Sequence, residues 1–132
     1  MADPQPRTLA APQPNVETQP FWDAASEGQL LVKRCGSCGK AHYYPRAHCP
    51  NCASDDTQWE TTSGEGVIYS LSTMRRGPGA PFTLAYVTLD AGPAMLTNIT
   101  DCDQDSLAIG QRVSVRFVAT DGGPPVPMFA PI

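Results

Sequence analysis

Four of the five cysteines fall in two identical spacings, Cys35-Gly36-Ser37-Cys38 and Cys49-Pro50-Asn51-Cys52, with ten residues between the pairs. Two cysteines three apart on a tight turn can aim both sulfurs at one point. A second such turn facing the first completes a tetrahedron of thiolates, the geometry that suits Zn²⁺. Gly39, Pro45 and Pro50 supply turn chemistry, and Ala41 to Pro45 can cross between the knuckles as a short hairpin strand. The spacing predicts a zinc ribbon.

Four thiolates occupy every position of a tetrahedral ion and leave none for water or substrate, so the site reads as structural, with one Zn²⁺ per chain. The same ligands accept an iron of the rubredoxin kind, and a redox dithiol is the third reading; colour separates iron from zinc, because Zn²⁺ is d¹⁰. His42 and His48 lie inside this stretch and read as packing or surface residues.

Other chemistry is sparse. Between Thr61 and Ile132 there is no histidine and no lysine, and neither a Gly-x-Ser-x-Gly turn nor a phosphate-cradling glycine loop occurs. Cys102 lies between Asp101 and Asp103, which would raise its pKa and disfavour a nucleophile. The alternation of Asp101, Asp103 and Asp105 lacks the glycine and glutamate of a calcium loop. No catalytic residue is assigned.

The formal charge is −4, and four thiolates around one Zn²⁺ add about two further negative charges, which argues against nucleic acid as a general partner. Gly28 to Ser54 nevertheless contains no acid, while Lys33, Arg34, Lys40 and Arg46 all fall there. They either neutralise the thiolates or form an anion site, for instance for the phosphates of a coenzyme. Both readings stay open.

The elements that must position these groups follow from patterning. Residues 1–19, with prolines at 4, 6, 12 and 14 and few large apolar residues, are expected to be a disordered arm. A short helix should begin at Pro20-Phe21-Trp22 and end at Gly28, and with the ribbon it makes up residues 20–60. So short a helix is marginal alone. Its rings must therefore pack on the ribbon, on the next domain or on another protein, and Phe21 and Trp22 are assigned to a partner interface. Trp59 is expected to cover the ribbon.

From residue 61 to 132 five runs read as strands: Val67 to Met74, Phe82 to Leu89, Ala94 to Ile99, Arg112 to Ala119 and Val126 to Ala130. A long acidic crossover from Asp101 to Gly110 follows the third run, which suggests a five-stranded OB-type barrel. The fold class is mainly β, a rubredoxin-like ribbon with a short leading helix followed by that barrel. At 132 residues, 41% of them hydrophobic, the chain can build a core. No apolar run approaches the ~20 residues of a membrane span. The first residues lack a basic segment followed by an apolar run, and the cysteines suit a reducing compartment, so a soluble cytoplasmic protein without a membrane partner is expected.

Taken in order, Pro20-Phe21-Trp22, Gly28-x-Leu30, Cys35-x-x-Cys38-Gly39, Tyr44-Pro45-Arg46, Cys49-Pro50-x-Cys52, Gly64-x-Gly66-Val67, Leu96-Thr97-Asn98 and Ile109-Gly110-x-x-Val113 resemble an acyl-CoA-associated family. That family joins a rubredoxin-like zinc ribbon to an OB-fold and is catalogued as domain of unknown function family 35. The resemblance covers roughly residues 20 to 131. It implies an accessory subunit of a thiolase-like enzyme, in a hetero-oligomer serving β-ketothiolase, acyl-transfer or retro-aldol steps on acyl-CoA, with the catalytic residues on the partner. Candidate CoA or anion contacts are Lys33, Arg34, Lys40, Arg46, Arg75 and Arg76. The loop from Gly77 to Pro81 adds Pro78 and Pro81 to the candidate interface. The rival class is an OB-fold module binding single-stranded nucleic acid through Tyr69, Phe82, Tyr86 and Arg75-Arg76.

Overall fold

The computed structural model describes residues 8–77 and 79–132. Its elements run α1 (Gln19–Ser26), β1 (Leu31–Cys35), β2 (Ala41–His42), β3 (Thr57–Thr61), β4 (Glu65–Met74), β5 (Phe82–Leu89), β6 (Ala94–Ile99), a 3-10 turn (Gln104–Ser106), β7 (Arg112–Val118) and β8 (Val126–Pro131). Strands β2-β1-β3 form one antiparallel sheet, and β4-β5-β6-β8-β7 close into a barrel.

Helix α1 exists because both of its ends are fastened. Ahead of it, the Asn15 N–H donates to Thr18 Oγ1 and the Thr18 N–H to Asn15 Oδ1, each at 3.0 Å, while Pro20 sits in the first turn where its missing N–H costs nothing. Behind it, Gly28 adopts φ 80°, and the N–H groups of Gly28 and Gln29 turn back onto the carbonyls of Ala25 and Ala24 at 3.0 and 2.9 Å. This left-handed closure favours glycine and satisfies carbonyls that the helix end would otherwise orphan.

The helix does not present its aromatics outward. Phe21 is 1% and Trp22 6% exposed. Phe21 stacks edge-on against Trp22 at 4.8 Å and against Tyr43 at 5.8 Å between ring centroids. The assignment of Phe21 and Trp22 to a partner interface is therefore corrected: the apolar side of α1 is used up inside the chain. Together with Leu30 and Val32, these rings belong to the same buried cluster as Ile68, Val87, Met95, Val113 and Phe129 of the barrel.

The expected disordered arm over residues 1–19 is likewise corrected for its later part. Ala10 forms a parallel bridge with Asp121, whose N–H donates to the Leu9 carbonyl at 2.9 Å, and Thr18 is buried. The prolines there leave enough backbone donors and acceptors for the loop after β7 to pair with. Residues 1–7 lie outside the described residues, as does Pro78.

In the barrel, β4 pairs with β5, β5 with β6, β7 with β8 and β4 with β7, all antiparallel, whereas β6 meets β8 in parallel at Ile99↔Phe129. With β4 as first strand the order is 1-2-3-5-4, and the 3-10 turn lies in the long connection between the third and fourth strands. This is the five-stranded Greek-key OB arrangement. Alternation does the sorting: Thr83, Ala85, Val87 and Leu89 of β5 point inward while Leu84, Tyr86 and Thr88 are exposed. The register of β4 against β5 shifts between Ile68 and Ser70, leaving Tyr69 as the extra residue of a bulge. Gly66 cannot be replaced there, because a Cβ would lie 2.5 Å from the Thr88 carbonyl oxygen. Among the described residues no helix is long and apolar enough to cross a membrane.

Candidate metal centre and its surroundings

The two knuckles repeat one hydrogen-bond pattern. The Gly39 N–H donates to the Cys35 carbonyl at 2.9 Å and the Ala53 N–H to the Cys49 carbonyl at 2.8 Å; the Cys35 N–H reaches the Lys40 carbonyl at 2.9 Å and the Cys49 N–H that of Ser54 at 2.8 Å. Each loop is thereby folded back so that its sulfurs converge. Backbone N–H groups aim at them: Ser37 and Cys38 donate to Cys35 Sγ at 3.3 and 3.4 Å, and Asn51 to Cys49 Sγ at 3.3 Å. Donors of this kind favour thiolate over thiol. The Cys38 N–H foremost draws the Cys35 thiol down to about 6 against the opposing effect of burial. Cys35 and Cys49 are buried, Cys38 and Cys52 exposed, so the centre lies at the surface of the ribbon. The first knuckle is tied to the residue before β3, the Gly36 N–H donating to the Asp56 carbonyl at 2.8 Å.

The four Sγ atoms all lie within 4.8 Å of one another, with Cys35–Cys52 at 3.5 Å and Cys38–Cys49 at 3.7 Å. A tetrahedron with metal–sulfur bonds of about 2.3 Å has edges of about 3.8 Å. The donor set thus fits a single tetrahedral ion, and among the described residues these cysteines are the one His/Cys/Asp/Glu group placed to hold a metal. His42 is buried on β2 outside this shell; burial first, then the charges of Lys33 and Arg46, lower its pKa. His48 is exposed.

The six candidate anion contacts divide in a way the sequence did not foretell. Lys33 is 9% exposed: its Nζ donates to the Arg46 carbonyl at 3.3 Å and to Thr57 Oγ1 at 3.2 Å, and sits 4.8 Å from the Trp59 ring centre. Arg34 forms a fork with Glu60, Nε to Oε1 at 3.0 Å and Nη2 to Oε2 at 2.9 Å, and further donates to the carbonyls of Gly39 and Ala91 at 2.9 and 3.1 Å. Both are corrected from coenzyme contacts to internal ties, because most of their donors are already taken. Arg34 in particular bonds a carbonyl of the first knuckle and one in the β5–β6 turn of the barrel at the same time. Arg75 pairs with Asp105. Lys40, Arg46 and Arg76 are exposed. Pro81 is also exposed, at the start of β5.

Cys102 is half-buried, packed against the core, and its thiol is pushed up by burial first and then by Asp103 and Asp101, as the flanking acids suggested. Three features carried little sequence signal. Ala53 holds φ 66° where a glycine is ordinary; Tyr43 is partly buried against the core, which foremost pushes its phenol up to about 12; and Asn15 and Thr18 close the turn ahead of α1.

Residues 22–58 match the family model described as ChsH2, rubredoxin-like zinc ribbon domain, and residues 59–118 that of ChsH2, C-terminal OB-fold domain. A DUF35 domain-containing scaffold protein of Methanothermobacter thermautotrophicus is 33% identical over 94 residues, which cover 67% of this chain and 71% of that protein. A probable enoyl-CoA hydratase alpha subunit of Thermomonospora curvata is 29% identical over 116 residues, or 84% of this chain; the chain spans only 36% of that relative's length. Among solved structures, a chain of the Ltp2-ChsH2(DUF35) aldolase superposes with a TM-score of 0.79 at 27% identity, covering 91% of this chain and 98% of that one. Fold and metal centre define a zinc-ribbon plus OB-fold protein. The chain belongs to the DUF35 family, the one its motifs resembled.

Proposed function

We propose that this chain is a non-catalytic scaffold subunit of a cytoplasmic hetero-oligomeric enzyme acting on acyl-CoA substrates, with a thiolase-superfamily partner that carries out a β-ketothiolase, acyl-transfer or retro-aldol step. The observation that carries this reading is a four-thiolate centre with no fifth ligand among the described residues, beside a barrel without histidine or lysine. Such a chain can hold and orient but has little with which to move protons. The names of its relatives, a scaffold protein and a hydratase subunit, support an accessory role on acyl-CoA, and the aldolase favours the retro-aldol step among the three.

The centre holds one Zn²⁺ in this reading, and the ion ties the knuckles together, contributing folding energy on the order of 10–16 kcal/mol in small sites of this kind. If the chain touches the coenzyme's phosphates, Lys40, Arg46 and Arg76 are the ones left of the six candidate cations, having no ion pair among the described residues.

The test is co-expression and co-purification with a thiolase-fold enzyme of the same organism, with acetoacetyl-CoA and longer β-ketoacyl-CoA esters as substrates. Co-elution, no turnover by the chain alone and higher activity of the complex than of the enzyme alone are expected. Separate elution at micromolar concentration, with enzyme activity indifferent to the chain, overturns the reading.

A further inference from the structure

Since Phe21 and Trp22 are internal, the aromatic surface available to a partner lies elsewhere. It is on the outside of the barrel's first three strands. Tyr86 stands directly opposite Leu96 on β6, and Tyr69 and Ser70 together oppose Tyr86 across the bulge; Leu84 follows on the same face of β5, and Met74 ends the same face of β4. Tyr69 is 70% exposed and Met74, Leu84, Tyr86 and Leu96 are each about half exposed, at 50, 45, 48 and 53%. Aromatics carry 150–250 Å² each, so the five side chains offer roughly 400 Å², the size at which an exposed apolar patch marks an interaction site. Neither β5 nor β6 contains a single charged residue on either face. For a chain of net charge −4, a three-stranded outer face whose one charged residue is Glu65, at the end of β4 away from Met74, is not an ordinary solvated one.

We propose that this face, the outside of β4-β5-β6, is the surface through which the chain docks on the apolar surface of its folded enzyme partner; the proposal rests on the scaffold reading above. Strands two and three of an OB barrel, with the loop after strand one, commonly take oligonucleotides, and two tyrosines beside Arg75-Arg76 invite that comparison. The charges decide against it. A polyanion needs a track of cations, whereas here Arg75 is paired with Asp105 and the face itself has none. Desolvating the part of this face around Tyr86, Leu84 and Leu96, where β5 and β6 hold no charge, costs no buried charge. The cation at the rim is Arg76, exposed next to the end of β4, so the partner's surface should be apolar with a carboxylate at that edge. A second copy of this chain is the poorer complement, since it brings the same negative charge and the same arginine.

The experiment measures affinity for the thiolase-fold enzyme of the co-purification test by titration calorimetry, for wild type, Tyr86→Asp, Leu96→Asp, Arg76→Glu and the β7 control Arg116→Ala. Metal content and circular dichroism of each variant verify folding; these side chains point out of the barrel, so both should be unchanged. The two aspartate variants are expected to bind at least about thirtyfold more weakly, the loss typical of a central contact, Arg76→Glu more weakly than wild type, and the control within about twofold. If wild type binds and the aspartate variants bind equally well, this surface is wrong and the scaffold reading survives. If wild type does not bind the enzyme at all, the scaffold reading falls and this proposal with it. Binding of a fluorescein-labelled oligothymidylate at physiological salt that Tyr86→Asp abolishes would assign the face to nucleic acid, and a concentration-dependent dimer that Leu96→Asp abolishes would assign it to a second copy; either overturns the proposal.

Discussion

Ala53 occupies in the second knuckle the place Gly39 occupies in the first: each follows the second cysteine of its pair, at φ 66° and 77°, and each donates its N–H to the carbonyl of the first cysteine. The left-handed conformation is free for glycine and costs an L-residue roughly 1–2 kcal/mol. One half of the metal centre is relaxed and the other strained.

Exchanging the two residue types should move stability in opposite directions. A Cβ on Gly39 would meet nothing within 4 Å, so Gly39→Ala isolates backbone strain and should cost about 1–2 kcal/mol. Ala53→Gly should gain less, about 0.5–1 kcal/mol, because added freedom of the unfolded chain offsets part of the relief. Urea titration of the metal-loaded protein reads both; equal effects of the same sign would refute the argument.

Elemental analysis should find one zinc per chain, and no colour. Cys38→Ser removes one thiolate from the shell, and the variant should lose the metal to a competing chelator at far lower concentration than wild type, with loss of ribbon structure. A colourless, fully folded protein containing neither zinc nor iron is incompatible with the site described.

Trp22→Ala should damage the isolated chain. Truncating a buried aromatic costs about 3–5 kcal/mol, and this ring is 6% exposed with Phe21 edge-on against it. A thermal melt of the chain without any partner should drop accordingly. An unchanged melting temperature would restore Trp22 to the surface and to the candidate partner interface.

Glu60→Gln addresses the link from Arg34. The hydrogen bond from Arg34 holds the Glu60 carboxyl below its ordinary 4.5. A carboxyl with a depressed folded-state pKa stabilises above its unfolded value, and that contribution fades as pH falls through the depressed one. Both side chains are 38% exposed, so the contribution is screened to about 0.5 kcal/mol. Wild type should exceed the variant by that amount at pH 7, and the gap should close below pH 4.5. A gap that persists in acid would mean that the fork is not what Glu60 supplies.

How much of this was legible beforehand depended on the range of the signal. The cysteine spacing is local, and the two knuckles came out as read. So did the five barrel strands, since the alternation of Leu84, Tyr86 and Thr88 with their buried neighbours is visible in the residues themselves. The fates of Lys33 and Arg34 were not visible, because their partners Thr57 and Ala91 come 24 and 57 positions later. Composition likewise could not show that a proline-rich stretch would find the loop at Asp121 to pair with. The sequence of α1 shows that Phe21 and Trp22 must pack on something; only the tertiary structure shows that the something is this chain.

The continuous cluster from Phe21 and Val32 to Val113 and Phe129 limits how modular the chain can be. Ribbon and barrel look like exchangeable cassettes along the sequence, yet neither closes its own interior. A chimera carrying a foreign ribbon would need a helix whose rings fit this barrel, so the three pieces must be inherited, grafted and redesigned as one.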